Sequence, residues 1–405
     1  MIIGLEAISF HTTQHYIELS DLAEARSIAP EKFTLGLGQQ QMSIACLPED
    51  TVHLAINAAK KALQRFNIAP EEIGMLVVGT ESGVDHSKPV AVYVHQALGL
   101  PSNCISYETK HACFGAMAAI SAAGDWLIPG RANNRKALII AADIANYALH
   151  SAAEPTQGAG AVAMVISDQP TLVHFDRNVA GHFTNNVMDF WRPLYAKEAL
   201  TDGHYSIECY LDALTHTLTD AKPELPRLSD LQACLYHVPF VKMASKAHQR
   251  HFEYDQDLKL EKASNDWLNF EQSYQTKTLP WLDYNARVGN IYTGSLFLSL
   301  MALLVNGNLT PDQLISLFSY GSGSAAALRL IRPIAGYEQF KNCIDPSLEL
   351  DGRTRLSISQ YEEIMQQRDQ PITENDRIDP ADWGLTTPYL YSGNQAHIRQ
   401  YSDFL

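Results

Sequence analysis

The sequence predicts an α/β protein built from two similar halves, each a mixed β-sheet covered by helices. Short apolar runs typical of buried strands alternate with helical segments along the chain. The same order of elements returns in the second half. Of the 405 residues, 46% are hydrophobic and 19% are charged, which is the composition of a globular protein rather than a disordered chain.

The first half, residues 1–170, contains three runs with the character of buried strands. They are "GMLVVGTES" (74–82), "KALIIAADIA" (136–145) and "GAVAMVISD" (160–168). Their largely apolar runs indicate strands that are covered on both faces. The amphipathic segment "DTVHLAINAAKKALQRF" (50–66) is predicted to be a covering helix.

The second half, residues 171–405, repeats this order with a strand at 232–240, a helix at 294–307 and a strand–turn–strand unit at 312–331. In both halves a strand ends near an ionisable residue, Glu81 and then His237. A helix with a reactive or polar start follows, at Cys113 and then at Asn290. We therefore expect two half-sites that face one another.

Two parts of the second half depart from the pattern. Residues 171–231 lose the strand–helix alternation and are predicted to be an insertion with one good helix. Such long excursions often cover a functional site. Residues 338–405 are polar and rich in charge, so we expect a surface appendage packed on the core.

The charge and hydropathy of the chain exclude several classes of partner. The formal net charge is -15, which disfavours a nucleic acid or an anionic membrane surface. The longest apolar helical run, "GSLFLSLMALLV", has about 12 residues, too few to span a bilayer. Because the N-terminus also lacks a secretion signal pattern, we expect a cytoplasmic protein.

The cysteines and histidines show no ligand spacing. No CxxC or CxxH pair occurs, and the 15 histidines form no HxH or HxxxH group. We therefore expect neither a disulfide scaffold nor a metal site. The six cysteines are Cys46, Cys104, Cys113, Cys209, Cys234 and Cys343.

Cys113 precedes a run of small residues at helical spacing in "ETKHACFGAMAAI". This places the thiol at or near a helix N-terminus, where the dipole and the unpaired N–H groups are expected to favour the thiolate. The same N–H groups can bind the anion that forms on an acyl oxygen. The alternative is a buried structural cysteine, since free cysteine is among the most buried residue types.

Glu81 and His237 are candidates for proton transfer. Glu81, in "GTESGVDHSKP", ends an apolar strand, where apolar surroundings raise a carboxyl pKa into the range of a general acid or base. Its alternative is a surface residue at a strand end. His237, in "LYHVPFVKMASKAHQ", also follows an apolar strand, which Pro239 ends. Its alternative is a core histidine held by a backbone hydrogen bond.

Three further features are candidates for binding. Lys242 and Lys246 share one helix face, so they form either a phosphate-binding patch or a solvated face. Asn290 lies just before a helix, where asparagine is also a common cap. The N–H of Ser322, in the turn "FSYGSGSA", can donate to an oxyanion.

Seven motifs in this order resemble the bacterial branch of the 3-hydroxy-3-methylglutaryl-coenzyme A (HMG-CoA) synthases, in the thiolase-like condensing enzyme superfamily. They are "GTESGVDHSKP", "KHACFGAMAA", "EPTQGAGAVAMVISD", "MDFWRP", "HVPFVKMASKA", "GNIYTGSLFLSL" and "FSYGSGS". The resemblance covers about residues 2–330 and, more loosely, the rest of the chain. It implies a thiolase-like fold whose two halves form five αβαβα layers, usually in a homodimer.

The activity that the resemblance implies is the condensation of acetyl-CoA with acetoacetyl-CoA and water to HMG-CoA and CoA. This reaction belongs to the mevalonate pathway and uses no metal or prosthetic group. By motif match, Cys113 accepts the acetyl group, and Glu81 is the general acid and base of the condensation. His237 orients and polarises the acetoacetyl carbonyl and donates or accepts a proton.

The resemblance also implies contacts with the acyl groups and with CoA. The residues matched to these contacts are Thr156 and Ser206 for the bound acyl group, Asn290 and Ser322 for acyl oxygens, and Lys242 and Lys246 for CoA. The chain departs from many relatives next to the cysteine, where His111 and Phe114 replace a glutamate and a tyrosine. It also has Ala29 and Pro30 where relatives often carry an aspartate.

Two other functions fit the same motifs. A homologue from a polyketide cluster shares the three catalytic residues but takes its acetyl group from an acyl carrier protein to install a β-branch. A thiolase-fold protein without activity acts only as a binding or scaffold partner. The presence of Glu81, Cys113 and His237 together argues against the inactive scaffold.

Overall fold

The computed structural model describes residues 2–128, 131–196 and 198–403. The strands are β1 (Gly4–Thr12), β2 (His15–Glu18), β3 (Gln41–Ile44), β4 (Ile73–Gly79), β5 (Ile105–Thr109), β6 (Lys136–Ala145), β7 (Gly158–Ser167), β8 (Val173–Thr184), β9 (Phe190–Trp191), β10 (Leu200–Thr201), β11 (Leu231–Tyr236), β12 (Leu314–Gly321), β13 (Ala325–Pro333), β14 (Thr354–Arg355), β15 (Tyr391–Gln395) and β16 (Ile398–Tyr401). The α-helices are α1 (Leu19–Ala25), α2 (Glu31–Thr34), α3 (Thr51–Arg65), α4 (Val90–Ala97), α5 (Gly115–Trp126), α6 (Gly203–Ala221), α7 (Val241–Gln256), α8 (Asn265–Lys277), α9 (Asp283–Val288), α10 (Ser295–Asn306), α11 (Lys341–Ile344), α12 (Ser347–Asp351) and α13 (Ile358–Arg368).

The main sheet has the strand order β11-β12-β13-β8-β1-β7-β6-β4-β5. In the first half, β4 runs parallel to β5 and β6, while β6, β7 and β1 are antiparallel. In the second half, β11 runs parallel to β12, while β12, β13 and β8 are antiparallel. Only Gly4 and Leu5 of β1 pair with β8, so the nine strands form two smaller sheets that join at one corner.

Alternating residues along each strand enter different cores, which defines five layers. In β6, Ile139 belongs to the central core, whereas Leu138 and Ile140 belong to an outer core with α3 and α4. In β11, Leu235 faces the central core and Tyr236 faces a second outer core with α6, α7 and α8. Helices α5 and α10 lie in the central core between the two sheets. The predicted αβαβα arrangement is confirmed.

The composition of each helix matches its layer. Every residue of α10 from Ser295 to Leu304 is buried, as expected for a helix that is apolar all round and packed between two sheets. Helix α3 covers an outer face and begins at Asp50, whose side chain accepts a hydrogen bond from the N–H of His53. The predicted helices at 50–66 and 294–307 are therefore present.

The segment 171–231, predicted to be an insertion, contributes a central strand. Strand β8 (Val173–Thr184) lies within the main sheet, and α6 covers its outer face. The expectation of an insertion with one good helix is confirmed for α6, but it missed this strand of the main sheet. The sequence "VHFDRNVAGHFT" mixes polar and apolar residues and has no continuous apolar run, so the sequence pattern does not predict this strand.

The segment 338–405 packs on the first half. Strand β14 pairs in parallel with β2, and Tyr361 of α13 is fully buried in a core with Ile17, Leu22 and Phe33. The division of the chain near residue 170 stays a prediction. No helix in the described part of the chain has the length and hydropathy that a membrane span requires.

Candidate active site

The four residues that the repeated pattern singled out lie at matching places in the two halves. In the first half, β4 is parallel to β6, which pairs antiparallel with β7. In the second half, β11 is parallel to β12, which pairs antiparallel with β13. Glu81 follows β4 and His237 follows β11. Cys113 and Asn290 precede α5 and α10, the two helices of the central layer.

A cavity of about 490 Å³ lies where these chain segments meet. Its walls are largely aromatic, with Tyr147, Phe190, Tyr210, Tyr292 and Tyr320. A deep apolar pocket with a few polar groups is the usual form of a small-molecule site. The predicted residues that line the cavity are Cys113, Thr156, Ser206, His237, Asn290 and Ser322.

Close backbone packing brings Cys113 to Glu81. A Cβ atom on Gly79, at the end of β4, would lie 2.5 Å from the backbone nitrogen of Ala116. A Cβ atom on Gly321 would lie 2.7 Å from the backbone nitrogen of Phe114. Because only glycine fits at both positions, the Cys113 turn contacts the Glu81 strand on one side and the β12–β13 hairpin on the other.

Cys113 is a buried thiol that donates a hydrogen bond to Glu81. The distance from Sγ to Oε1 of Glu81 is 3.7 Å, and 8% of the residue is exposed. Burial, followed by the charge of Glu81, raises the pKa of the Cys113 thiol well above its ordinary value. The expectation that the helix N-terminus favours the thiolate is wrong here, because loss of solvation dominates.

The backbone before Cys113 is strained. Ala112 has φ of 40°, in the left-handed region, which costs a residue with a side chain about 1 kcal/mol or more. Tyr292, on the matching approach to α10, has φ of 46°. Both unusual residues lie beside the cavity, where strain of this kind positions functional groups.

Glu81 is a carboxyl group poised for proton transfer. Burial and then the nearby Asp143 raise the pKa of Glu81 to about 8, while Arg192 acts in the opposite direction. A guanidinium N–H of Arg192 also donates to the carbonyl oxygen of Glu81. A pKa near the working pH is what a general acid and base requires.

Asp143 is a site residue that the sequence analysis did not select. Its Oδ1 accepts hydrogen bonds from the N–H of Glu81 at 2.9 Å, and from Thr80 and Ser82. Burial raises the pKa of Asp143 to about 7. The available signal was a single acid within the apolar run "KALIIAADIA".

His237 has a fixed backbone and a free ring nitrogen. Its N–H donates to Phe318 O at 2.8 Å, and its carbonyl accepts from the Tyr210 hydroxyl at 2.8 Å. Nδ1 is buried and has no partner within the described residues. Burial lowers the pKa of His237 to about 3, so the ring is neutral, with one N–H donor and one acceptor.

Asp189, also missed from the sequence, holds the turn that contains Ser322. Its carboxylate accepts from the Tyr320 hydroxyl at 2.7 Å and from the Gly323 N–H at 2.9 Å. The hydroxyl of Ser206 lies 3.4 Å from the same carboxylate. The sequence marked this segment only as the motif "MDFWRP", without a role for its acid.

The remaining predicted residues differ in how far they reach the cavity. Asn290 Oδ1 accepts from the Tyr292 N–H at 2.9 Å and from Ser295, as a cap does. The Thr156 hydroxyl donates to a backbone carbonyl, that of Ala153, at 2.8 Å. Lys242 and Lys246 lie on α7 and do not line the cavity, although their neighbours Phe240 and Met243 do.

Comparison with known protein families agrees with this geometry. Residues 2–171 match the N-terminal domain of hydroxymethylglutaryl-coenzyme A synthase, and residues 173–270 and 253–402 match its C-terminal domain. The chain belongs to the hydroxymethylglutaryl-coenzyme A synthase family. It is therefore an acyl-CoA condensing enzyme with a thiolase-like fold.

Individual relatives cover nearly the whole chain. The hydroxymethylglutaryl-CoA synthase of Enterococcus faecalis is 38% identical over 365 residues, which are 89% of this chain and 91% of that protein. The polyketide biosynthesis 3-hydroxy-3-methylglutaryl-ACP synthase PksG of Bacillus subtilis is 30% identical over 89% of this chain and 87% of its own.

Solved structures give the same result. A structure of MvaS in complex with 3-hydroxy-3-methylglutaryl coenzyme A has a TM-score of 0.89 and 38% identity, with 99% of each chain covered. The HMG synthase of the curacin biosynthetic pathway, in complex with acetyl donor-ACP, has a TM-score of 0.92 and 28% identity, covering 99% of this chain and 100% of that one.

Proposed function

We propose that the chain condenses acetyl-CoA with acetoacetyl-CoA and water to HMG-CoA and CoA, through an acetyl thioester on Cys113, in the mevalonate pathway. The observation that carries the proposal is the 3.7 Å contact between the Cys113 thiol and Glu81, beside a cavity that His237 also lines. One nucleophile, one base and a second proton carrier are the groups that this condensation needs.

In the first step, the Cys113 sulfur attacks the carbonyl carbon of acetyl-CoA. Because the pKa of the thiol is raised, the proton leaves as the sulfur attacks, and Glu81 Oε1 is placed to accept it. The carbon–sulfur bond to CoA breaks, and the proton passes to the departing CoA thiolate. The N–H of Ser322, whose turn lines the cavity, is a donor for the developing oxyanion, whereas the N–H groups of Phe114 and Ala116 at the start of α5 already donate to His111 O and Thr293 Oγ1.

In the second step, Glu81 removes a proton from the methyl group of the acetyl-Cys113 thioester. The resulting carbanion attacks the ketone carbon of acetoacetyl-CoA and forms the new carbon–carbon bond. His237, neutral and with an unpartnered ring nitrogen, orients the ketone and passes a proton to the new alkoxide. Attack of water on the Cys113 thioester then breaks its carbon–sulfur bond and releases HMG-CoA with a new carboxylate. Of the two protons from water and the one held by Glu81, one restores the Cys113 thiol, one returns to His237 and one leaves to solvent.

The two lysines of α7 fit the binding of CoA phosphates. Lys242 is exposed and Lys246 is half-buried, and neither forms an ion pair with a carboxylate of the described residues. Both lysines come shortly after Phe240 in the sequence, and Phe240 lines the cavity. The CoA part of a ligand that extends out of the cavity beside Phe240 would therefore lie near them. Two free ammonium groups provide local positive charge in a chain of net charge -15.

A second candidate donor is an acetyl group on an acyl carrier protein. PksG, and the curacin synthase whose structure includes an acetyl donor-ACP, favour it. The experiment is a comparison of kcat/KM for acetyl-CoA and for an acetylated carrier protein, with acetoacetyl-CoA as the common acceptor. Preference for acetyl-CoA supports the proposal; preference for the carrier protein assigns the chain to polyketide β-branching.

We propose that the enzyme is a homodimer formed through β5. This strand pairs with β4 on one side, and within the described residues nothing pairs with its other edge. Ile105, at its start, is 48% exposed. An open edge of this kind is a template for pairing with a second chain. Light scattering should therefore give twice the chain mass of 44.9 kDa.

We place the reaction in the cytoplasm and assign no prosthetic group to it. All six cysteines are free, as is usual in a reducing compartment. Each proton transfer in the scheme is assigned to Glu81 or His237, so the chemistry has no step that calls for a bound cofactor. Activity that survives extensive dialysis against a chelator would support this assignment.

A further inference from the structure

A cluster outside the catalytic cavity brings together three side chains that commonly bind metals. They are His15, Cys46 and Glu49, all buried, and one ligand atom from each lies within 4.8 Å of the other two. None of the three lines the cavity that holds Cys113 or the neighbouring cavity that exposes Glu81. The proposed chemistry does not use them.

Strand pairing builds this cluster. In the antiparallel pair of β2 and β3, His15 lies opposite Ile44, and Cys46 follows two residues later. The chain then turns, with the N–H of Glu49 donating to Cys46 O at 2.9 Å. The ligands are thus a Cys-x-x-Glu turn and a histidine on the neighbouring strand. A search for Cys and His pairs close in sequence could not find this arrangement.

We propose that His15, Cys46 and Glu49 form a structural site for a divalent zinc ion. The distance between Cys46 Sγ and His15 Nδ1 is 3.5 Å. Zinc–sulfur and zinc–nitrogen bonds of about 2.3 and 2.0 Å, at a tetrahedral angle, place the two ligand atoms about 3.5 Å apart. One thiolate, one imidazole and one carboxylate are ligands that zinc accepts, with water as the fourth.

The surroundings of Glu49 also suit a ligand. Its Oε1 accepts from the Gln14 N–H at 2.8 Å and its Oε2 from the Cys46 N–H at 3.0 Å. Each carboxylate oxygen keeps a further lone pair, and such N–H bonds orient a ligating carboxylate.

The charges around the cluster are one buried carboxylate and one nearby guanidinium. Glu49 is 1% exposed and also takes part in a side-chain hydrogen bond with Cys46. The positive charge of Arg368 acts on both Cys46 and Glu49, but no salt bridge joins Arg368 to Glu49 among the described residues. A zinc ion bound by one thiolate and one carboxylate makes the ligand set neutral. Zinc binding releases the thiol proton of Cys46 to solvent, so the charges balance.

The expected effect of the ion is structural. Cys46 packs against Leu385 and Leu390, in the C-terminal segment that follows α13. An ion at this place joins β2 and the turn after β3 beneath that segment. We therefore expect zinc to raise the Tm of the protein and to leave the identity of its products unchanged.

The test uses the full-length protein without a histidine tag, incubated with zinc chloride and freed of unbound metal by gel filtration. We expect about one zinc per chain by elemental analysis, and at least a tenfold lower content in Cys46→Ala. Cys343→Ala, which removes a half-buried cysteine outside the cluster, is the matched control and should retain the metal. A chelator should lower the Tm of the wild type and of this control.

Cobalt(II) provides a second measurement, because a thiolate ligand gives a charge-transfer band. The band should appear in the wild type and be absent in Cys46→Ala. If Cys46→Ala fails to fold, Glu49→Gln replaces it and should lose zinc to a similar degree. A wild type that retains less than about a tenth of an equivalent of zinc, or variants that bind as much as it does, would overturn the proposal.

Discussion

The pH dependence of the condensation step tests the role of Glu81. Burial and Asp143 raise its pKa to about 8, so the carboxyl is mostly protonated at pH 7. Glu81 and Asp143 interact, so the pair titrates over a broader pH range than a single group does. Because the ionised form removes the methyl proton, the rate of this step should rise between pH 7 and pH 8, by up to about fivefold.

The assay is a single turnover. Enzyme that already carries the acetyl group is mixed with acetoacetyl-CoA over pH 6.5 to 9, and HMG-CoA is quantified with time. Asp143→Asn removes the charge that raises the pKa of Glu81, so it should move the midpoint of the profile to lower pH. A flat profile in the wild type, or an unchanged midpoint in Asp143→Asn, would refute the reasoning. Circular dichroism checks the fold at each pH.

Two further predictions concern binding and stability. Lys242→Ala combined with Lys246→Ala should raise KM for both CoA thioesters about tenfold, a loss of about 1.4 kcal/mol, with little change in kcat. His248 is buried and neutral, with a pKa lowered to about 3. In the unfolded chain this histidine binds a proton below about pH 6.5, whereas in the folded protein it stays neutral. The free energy of unfolding should therefore not be lowered by His248 above that pH, and should be about 2 kcal/mol lower at pH 5, as measured by urea unfolding.

Matched variants control both experiments. Lys262 is an exposed lysine beyond the end of α7, and Lys262→Ala should leave KM unchanged. The effect of the two α7 lysines should also shrink at high salt, because their charges are near solvent. His248→Gln should reduce the loss of stability between pH 7 and pH 5. An equal loss in both proteins would contradict the assignment to this histidine.

The sequence was a good guide to features with strong local patterns. The helices at 50–66 and 294–307 and the hairpin at 312–331 have clear apolar runs or periods, and each is present. Repetition of the order strand, ionisable residue, helix also predicted two half-sites that face one another, and Cys113, His237 and Asn290 from the two halves line one cavity. Pattern alone sufficed there, because equivalent strands place their ends together.

Features that depend on the three-dimensional environment could not be predicted from the sequence. The ionisation of Cys113 was assigned from a helix terminus, but burial beside Glu81 decides it and favours the thiol. Asp143 and Asp189 act through hydrogen bonds to residues far away in sequence. Strand β8 lacks a continuous apolar run. These properties follow from packing between distant segments, which local composition does not encode.

The mass of the intact protein after mixing with acetyl-CoA alone tests the central claim most directly. The proposed mechanism predicts one added acetyl group, mapped to the Cys113 peptide, that disappears as HMG-CoA forms when acetoacetyl-CoA is added. In Cys113→Ser the acetyl thioester should be absent. A wild type that forms HMG-CoA without passing through this adduct, or an acetyl group mapped to another residue and turned over at the same rate, would contradict it.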